Sequence, residues 1–374
     1  MRRVLFVFGT RPEAIKLCPV IAELRTHASE FETCVCVTAQ HRDLLDQVLD
    51  VFNVVPDYDL DVMAPGQSLF DSTARIIEGL AKVLEDRFDL LVVQGDTTTT
   101  LCGALAGFYA KIPVAPVEAG QRTGHMRNPF PEEMNRLLTT RLTSLHFPAT
   151  QSAAENLKRE GVPCDAIFLT GNPVIDAVQR TVEGIVNGTL PVPKWPWLDP
   201  SKKLILVTAH RRESFGQPFE SICRALAAIA RRADVQVVYP VHPNPNVRAI
   251  TRRLLREQTS VVLLDPVSYV PFIDLMSRAY LMLTDSGGIQ EEGPSLGKPV
   301  LVMRETTERP EAVKAGVARL IGTDEACIVR EVGQLLDDPA EYENMARRVN
   351  PYGDGQSSGR IVAAMRTWLD AYSA

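Results

Sequence analysis

The chain has 374 residues, of which 45% are hydrophobic and 23% are charged, and its formal net charge at pH 7 is −6. This length suits about two globular domains, and a negative balance without a basic stripe argues against a general nucleic-acid binder. No apolar run approaches the ~18 residues that a membrane-spanning helix needs, so we expect no membrane insertion.

Apolar runs of strand length alternate with segments of helical period in the first half of the chain. The first apolar run is too short for a signal peptide and lacks a cleavage site, so it predicts a buried strand. Alternation of this kind predicts a parallel sheet with helices on both faces. The predicted strands are residues 4–8, 33–37, 90–93 and 114–117, and the predicted helices are residues 14–24, 43–52, 69–84 and 98–109.

The pattern breaks at residues 188–200, where four prolines exclude a continuous helix or central strand. It then resumes, with strands predicted at residues 204–207, 235–239, 261–264, 280–283 and 299–302 and a final helix at 360–372. We therefore predict an α/β protein with two doubly wound Rossmann-like domains facing a cleft at the carboxyl ends of their sheets. The predicted boundaries are residues 1–187, a linker at 188–202 and residues 203–355.

Cysteine usage indicates the cellular compartment. The seven cysteines are scattered and show no CxxC spacing. Most lie in apolar contexts that are typical of reduced core thiols, which predicts a cytoplasmic protein.

Two cations bracket the predicted start of the first helix. Arg11 and Lys16 lie near its amino end, where the helix dipole favours an anion rather than a cation. An anion bound between them would resolve this conflict. The alternative is that both side chains point into water.

Acidic side chains follow the next two strands. Asp96 precedes the helix at 98–109, so it is a candidate for the N-cap, and a cap is the ordinary interpretation of such an aspartate. Glu118 directly ends an apolar strand, at the edge of the sheet where ligands bind. Glu132 and Glu133 begin a further helix, and first-turn acids are usually exposed residues that the helix dipole favours.

Residues 280–292 are the most informative segment. An apolar run ends at Asp285, and Ser286, Gly287 and Gly288 turn the chain into a helix. Exposed backbone N–H groups at such a helix start can hold a phosphate, and Glu292 could accept hydrogen bonds from a ribose. The alternative is an ordinary strand–turn–helix connection capped by Ser286.

Two further loops of the second half carry polar candidates. His210 follows the strand at 204–207 and precedes two arginines, and a histidine there can hydrogen-bond a phosphate or a sugar, although a lone histidine is more often structural. Arg309 lies at a predicted helix start. Neither metal-ligand spacing nor a GxGxxG dinucleotide loop occurs, so we predict no metal and no other cofactor.

Ten motifs along nearly the whole chain carry a resemblance to a known family. They are GTRPEAIK, TAQHR, GDTTTT, VEAG-RTG, PEE-NR, HRRE-FG, DSGGIQEE, GKPV, TTERPE and NPYGDG. In this order they resemble the bacterial non-hydrolysing UDP-N-acetylglucosamine 2-epimerases. The resemblance implies a glycosyltransferase-B-like fold whose C-terminal helix, at about residues 356–374, returns to the first domain. It implies reversible conversion of UDP-GlcNAc to UDP-ManNAc through elimination of UDP, for surface polysaccharide synthesis, in a homodimer.

The resemblance also implies roles for single residues. It places Asp96, Glu118 and Glu132 as catalytic carboxylates, with His210 beside the diphosphate. The remaining substrate-binding positions that it implies are Arg11 and Ser286, Gly287 and Gly288 for the diphosphate, Phe272 for uracil, Glu292 for the ribose, and Lys16 and Arg309 to complete the nucleotide site.

Relatives in this family bind a second UDP-GlcNAc beside the active site. Four positions match that allosteric site, namely Gln40, Glu133, Arg211 and His242, whereas Asp43 and Gly66 depart from it. Two further departures are Val267 near the uracil position and Gln121, where leucine is usual. We expect neither of these two side chains to touch a catalytic acid.

Three other functions would use parts of the same pattern. A hydrolysing 2-epimerase would release UDP and free ManNAc after the same elimination. An inverting glycosyltransferase of this fold would need an acceptor groove and typically one base. A nucleotide-sugar-binding protein without catalysis would have no reason to hold three carboxylates together.

Overall fold

The structure is a computed structural model that describes residues 1–39, 42–64, 66–211 and 214–372, except for the side chain of Asp43. Contacts between Cα atoms divide the chain into two compact units. Unit 1 is Met1–Ala177 with Tyr352–Ala374, and unit 2 is Val178–Pro351. This division is based on contacts within the folded chain and does not test which segments fold independently. The predicted domain boundaries therefore stay a prediction.

Unit 1 is built on a five-stranded parallel sheet of order β3-β2-β1-β4-β5. Its strands are β1 (Arg2–Phe8), β2 (Phe31–Val37), β3 (Tyr58–Asp59), β4 (Leu90–Gln94) and β5 (Val114–Val117). Its helices are α1 (Arg11–Arg25), α2 (Arg42–Val51), α3 (Leu69–Val83), α4 (Thr98–Tyr109), α5 (Glu132–Leu142) and α6 (Gln151–Arg159), and α7 (Pro173–Val186) follows.

The centre of this sheet explains where a site can form. β1 is an almost continuous apolar run buried on both faces, as expected for a central parallel strand. It pairs with β2 on one side and with β4 on the other, so the chain changes direction along the sheet between β1 and β4. Ligands of open α/β sheets bind at the carboxyl ends of strands beside such a switch point.

Unit 2 has a six-stranded parallel sheet of order β11-β10-β9-β6-β7-β8, with its switch point between β6 and β9. Its strands are β6 (Lys203–Thr208), β7 (Val235–Pro240), β8 (Val261–Leu264), β9 (Leu281–Thr284), β10 (Val300–Val302) and β11 (Ala318–Leu320). Its helices are α8 (Gln217–Ile229), α9 (Pro245–Leu255), α10 (Tyr269–Arg278), α11 (Gly287–Ser295), α12 (Pro310–Ala315), α13 (Glu325–Asp337) and α14 (Pro339–Ala346).

These two doubly wound layers confirm the predicted α/β class. Every strand predicted from apolar runs is present, with ends that differ by at most two residues. The short strands β3 and β11 were not predicted. All seven cysteines are free, and burial raises the pKa of Cys18, Cys36, Cys102 and Cys223 to about 12, as expected for inert core thiols. Among the described helices, none has the length and apolar character to cross a membrane.

The proline-rich segment at 188–202 is fixed on unit 2 by hydrogen bonds. The indole Nε1 of Trp195 donates to Oδ2 of Asp274 at 2.7 Å. The side chain of Gln236 donates to the carbonyl of Trp197 at 2.7 Å and accepts from the backbone N–H of Asp199 at 3.0 Å. These bonds give the segment a defined conformation without regular secondary structure.

The last described helix, α15 (Ser357–Tyr372), belongs to unit 1 and is anchored there by a buried carboxylate. Asp176, in the first turn of α7 and 2% exposed, accepts the backbone N–H groups of Ser357 and Ser358 at 3.2 and 2.8 Å. These are two of the N–H groups that a helix start leaves without a partner inside the helix. A side chain distant in sequence therefore caps α15.

Replacement of Asp176 by alanine should destabilise unit 1, because two buried N–H groups lose a charged acceptor, at a cost of about 2–3 kcal/mol. The matched control is Asp338→Ala, which removes the exposed side-chain cap of α14 and should cost about 1 kcal/mol. Thermal unfolding followed by circular dichroism would compare the two. Equal shifts in Tm would show that Asp176 is no more than an ordinary cap.

Candidate active site

A buried glutamate joins the two loops at the switch point of unit 1. Glu13 lies in the first turn of α1 and is 1% exposed. Its Oε2 accepts the backbone N–H groups of Gly9 and Thr10 at 3.1 and 2.7 Å, and its Oε1 accepts the hydroxyl of Thr97 at 2.7 Å. Burial raises the pKa of Glu13, and these hydrogen bonds oppose the shift. The loops after β1 and β4 are thereby held together.

Glu13 also changes the interpretation of the cations at the start of α1. The carboxylate of Glu13 supplies, within the chain, the negative charge that the amino end of this helix favours. Arg11 occupies the first helical position and is partly exposed. Lys16 forms an ion pair with Glu118 inside unit 1. For Lys16 the chain itself therefore supplies an anionic partner, and the anion predicted beside Arg11 stays a prediction.

Glu118 is held by donors from four separate segments. It is 6% exposed, and its φ of +63° is in the left-handed region, which turns the chain sharply after β5. Its Oε2 accepts from Nζ of Lys16 and, at 2.5 Å, from Nε2 of Gln94. Its Oε1 accepts from Nε2 of Gln121 at 2.7 Å and from Nδ2 of Asn172 at 3.4 Å. The expectation that Gln121 touches none of the acids with a predicted catalytic role is wrong.

Arg136 forms ion pairs with two further acids of unit 1, Asp96 and Glu133. Its Nε and Nη2 donate to Oδ2 of Asp96 at 3.0 and 2.5 Å, and its Nη1 donates to Oε2 of Glu133 at 2.9 Å. Oε1 of Glu133 accepts the backbone N–H groups of Thr123 and Gly124, each at 3.0 Å. Burial tends to raise the pKa of Glu133, but the bonds from Arg136 and the two N–H groups outweigh it and hold the pKa below its ordinary value.

Two expectations for these acids are wrong. The N-cap of α4 is Thr97, whose hydroxyl accepts the backbone N–H of Thr100 at 3.1 Å, so the carboxylate of Asp96 is available to Arg136. Glu133 was interpreted as an exposed first-turn acid, yet it is 1% exposed. Its burial follows from the loop at 123–124, which folds over it.

The carboxylate of Glu132 differs from those of Asp96 and Glu133 in its hydrogen bonding. It is the first residue of α5, and its Oε2 is buried with no hydrogen-bond partner among the described residues. Nδ2 of Asn135 donates to the carbonyl of Asp96 at 2.8 Å, which holds the start of α5 against the loop after β4. An unsatisfied buried oxygen is costly, so Oε2 of Glu132 is an oxygen in this group that can accept a hydrogen bond from a ligand.

In unit 2, Asp285 fixes a loop by accepting two consecutive backbone N–H groups, as Glu13 does in unit 1. It is completely buried at the end of β9, and its Oδ2 accepts the backbone N–H groups of His210 and Arg211 at 2.6 and 2.7 Å. Its Oδ1 lies 3.4 Å from Nδ1 of His210. The ring of His242 stacks on that of His210, with 5.3 Å between centroids, and burial together with the nearby His210 lowers the pKa of His242.

The start of α11 is open, as its sequence indicates. Ser286 occupies the N-cap position, but its side chain makes no capping hydrogen bond, so the cap interpretation holds for position only. A Cβ added to Gly287 would have just Nη2 of Arg211 near it, at 3.9 Å, among the described residues. A Cβ on Gly288 would lie 3.3 Å from Oε1 of Glu292. Backbone N–H groups, a guanidinium and a carboxylate therefore border one small space.

The remaining predicted positions of unit 2 lie on α10 and at the start of α12. Phe272 is partly buried on α10. Arg309 is the N-cap residue of α12, and its Nε forms an ion pair with Glu291, which is 1% exposed. Thr307 donates to the side chain of Gln290 at 2.6 Å, which ties this loop to α11. Of the predicted second-site residues, Gln40 lies outside the described residues.

Comparison with known proteins gives a consistent result over nearly the whole chain. A family model described as UDP-N-acetylglucosamine 2-epimerase matches residues 22–366. A protein of that name from Escherichia coli O157:H7 is 56% identical over 370 residues, which cover 97% of this chain and 98% of the relative.

Solved structures agree with the sequence comparison. A structure from Listeria monocytogenes has a TM-score of 0.92 at 42% identity and covers 99% of this chain and 97% of its own. The UDP-GlcNAc 2-epimerase from Neisseria meningitidis, solved bound to UDP-GlcNAc, has a TM-score of 0.88 at 47% identity and covers 98% of this chain and 100% of its own. The predicted glycosyltransferase-B-like fold is confirmed by these relatives.

The lowered pKa of Glu133 predicts a pH-dependent contribution to stability. A carboxylate whose pKa is lower in the folded state stabilises the fold above its unfolded pKa, and that contribution is lost as pH falls through the folded value. Glu133→Gln should therefore lower Tm at pH 7 by about 4 °C, from bonds worth about 1–3 kcal/mol. The difference from the unchanged protein should shrink on acidification.

The control is Glu343→Gln, which removes an exposed pair with Arg347 on α14 and should shift Tm by less than about 1 °C. Scanning calorimetry between neutral and acidic pH would make the comparison. A Tm difference for Glu133→Gln that stays constant over this range would contradict the assignment.

Proposed function

We propose, since this chain belongs to the UDP-N-acetylglucosamine 2-epimerase family, that it converts UDP-GlcNAc to UDP-ManNAc reversibly by eliminating UDP and adding it back. The observation that carries this mechanism is the carboxylate set at one edge of the unit 1 sheet. Glu118 and Asp96 are engaged by donors there, and Glu132 keeps a buried oxygen without a partner among the described residues.

The chemistry of the substrate calls for such a set. The C2 hydrogen of the sugar is weakly acidic, so its direct removal as a carbanion is unfavourable. Elimination is easier, because the electron pair of the C2–H bond forms the C1–C2 double bond while the diphosphate leaves with the C1–O pair. The product is a 2-acetamidoglucal. Inversion at C2 then requires a proton on the other face, so two proton-handling groups are needed.

We assign the proton-handling roles to Glu132 and Asp96. Glu132 has the unsatisfied oxygen, and Asp96 is held by Arg136 through Oδ2 alone. Glu118 carries four donors, one of them cationic, and such bonds stabilise the ionised form of a carboxylate. Its proposed role is to remain charged and to stabilise positive charge that develops at C1 as UDP departs.

Unit 2 supplies the groups that suit the nucleotide. The open start of α11, from Ser286 to Gly288, presents backbone N–H groups at the positive end of the helix dipole. His210 is positioned near this start by Asp285, and both are anchored at the β6–β9 switch point. We propose that these groups stabilise the leaving diphosphate, and Arg11 keeps the diphosphate role that the resemblance implies. Glu292 lies over the first turn of α11 and is our candidate for the ribose hydroxyls.

Two residues that were predicted to bind the nucleotide have another role in this proposal. Lys16 and Arg309 each form an ion pair within their own unit, with Glu118 and Glu291. We propose that they act by orienting those carboxylates. Phe272, partly exposed on α10, remains the proposed partner of uracil. A homodimer and a supply of ManNAc-type sugars for surface polysaccharides remain part of the proposal.

The mechanism predicts solvent exchange at C2. Incubation with UDP-GlcNAc in D2O, followed by NMR, should show UDP-ManNAc with deuterium at C2 and UDP retained in both sugars. Release of UDP with free ManNAc would establish the hydrolysing alternative. A new epimer without deuterium would exclude proton transfer with solvent.

The matched variants are Glu132→Gln and Glu155→Gln. Loss of a proton-transfer group typically costs about 10²–10⁴-fold in rate, so Glu132→Gln should lose most exchange and conversion while it still binds UDP in calorimetry. Glu155 is exposed on α6 and serves as the control. Full activity of Glu132→Gln would remove Glu132 from the mechanism.

A second UDP-GlcNAc site remains a separate prediction. His242 stacks on His210, and Arg211 lies beside the start of α11, so a ligand on these side chains would affect the diphosphate groups directly. UDP-ManNAc alone should react slowly until a trace of UDP-GlcNAc is added. A reverse reaction that starts at full rate, together with unchanged kinetics in His242→Ala, would show that no such site operates.

A further inference from the structure

The turn after β5 directs one additional side chain to a catalytic carboxylate. Positive φ values at Glu118 and Gly120 fold the chain back within three residues, so Gln121 faces Glu118. Its Nε2 lies 2.7 Å from Oε1 of Glu118. The hydrogen bond therefore joins two residues of one tight turn.

The turn that carries Gln121 has little freedom to move. Nη1 of Arg122 donates to the carbonyl of Gln121 at 2.7 Å, and the same guanidinium binds Glu160 through two bonds at 2.7 and 2.8 Å. A Cβ on Gly120 would lie 2.3 Å from the carbonyl oxygen of Ala153, so only glycine fits against α6. The amide of Gln121 is thus presented from a fixed backbone.

The two oxygens of Glu118 are not held equally. Oε2 has the ammonium of Lys16 and the amide of Gln94, whereas Oε1 has Gln121 at 2.7 Å and Asn172 at a weak 3.4 Å. Without Gln121, Oε1 would lose the shorter of its two described hydrogen bonds and keep the one from Asn172. Gln121 therefore supplies the main constraint on Oε1 among the bonds described.

We propose that Gln121 is a positioning residue for the epimerisation, whose amide holds Glu118 ionised and in one orientation toward the sugar ring. This inference rests on the proposed function and deepens it. It identifies a residue outside the acids themselves that orients Glu118 in this chain, at a position where the family usually has leucine.

Gln121→Met keeps the length of the side chain and removes the donor. We expect kcat to fall about tenfold, the effect of losing about 1.4 kcal/mol of transition-state stabilisation. KM should stay within about twofold, because Gln121 does not itself bind the nucleotide. The control is Gln151→Met, since Gln151 makes a similar but exposed bond to Glu155, at 3.2 Å. Its kcat should be unchanged.

Gln121→Glu distinguishes positioning from packing. At about pH 8 the introduced carboxylate would repel Glu118 and activity should be low. As pH falls toward about 6, its protonated form can donate as the amide does, because a neighbouring like charge raises a carboxyl pKa. The ratio of variant to unchanged kcat should therefore rise on acidification, while that of Gln121→Met stays flat. Circular dichroism would verify that each variant is folded.

The results distinguish a failure of the proposed function from a failure of the proposed role of Gln121. If the unchanged protein does not convert UDP-GlcNAc, the proposed function is wrong, and the role of Gln121 with it. If the unchanged protein converts UDP-GlcNAc but Gln121→Met matches it in kcat, only the role of Gln121 is overturned. Equal pH dependence for Gln121→Glu and Gln121→Met would also overturn it, because packing alone explains that result.

Discussion

Buried carboxylates that bind two consecutive backbone N–H groups fix the loops of both units. Glu13 binds the loop after β1, Glu133 the loop at 123–124, Asp285 the loop after β6, and Asp176 the start of α15. Burying a charge is costly unless hydrogen bonds compensate for it, and a pair of adjacent N–H groups provides that compensation with defined direction. The positions of the polar side chains around both switch points depend on these contacts.

A consequence for the proposed catalysis is that most of the groups assigned to it are already held in place by hydrogen bonds. His210 takes its place from Asp285, and Glu118 takes its orientation from Lys16, Gln94 and Gln121. Groups that are already oriented need no reorganisation when charge develops on the substrate. Glu132 is the exception, since its Oε2 has no partner in the part of the chain that the structure describes. Among the described residues, Oδ1 of Asp285 is also buried without a hydrogen-bond partner, so one carboxylate oxygen in each unit remains to be satisfied by another group.

The sequence predicted the strands of both sheets because buried parallel strands are continuous apolar runs. The strands β3 and β11 are two and three residues long, too short for any periodicity to appear. Glu13 and Glu133 could not be recognised as buried, since first-turn acids are usually exposed and their donors come from loops whose path depends on tertiary contacts. Gln121 was misjudged because the left-handed conformation of Glu118, a residue other than glycine, cannot be read from its type.

The capping of α15 by Asp176 has a consequence for the order in which the protein forms during translation. Unit 1 needs residues from Tyr352 onward, yet all of Val178–Pro351 leaves the ribosome before them. At about 5–20 residues per second, this intervening stretch takes roughly 10–35 seconds to synthesise. During that interval the nascent first unit exposes the surface that α15 later covers. Asp176 then lacks the backbone N–H groups of Ser357 and Ser358, which donate to it in the folded protein. The amino-terminal part of unit 1 therefore lacks its last helix throughout that interval.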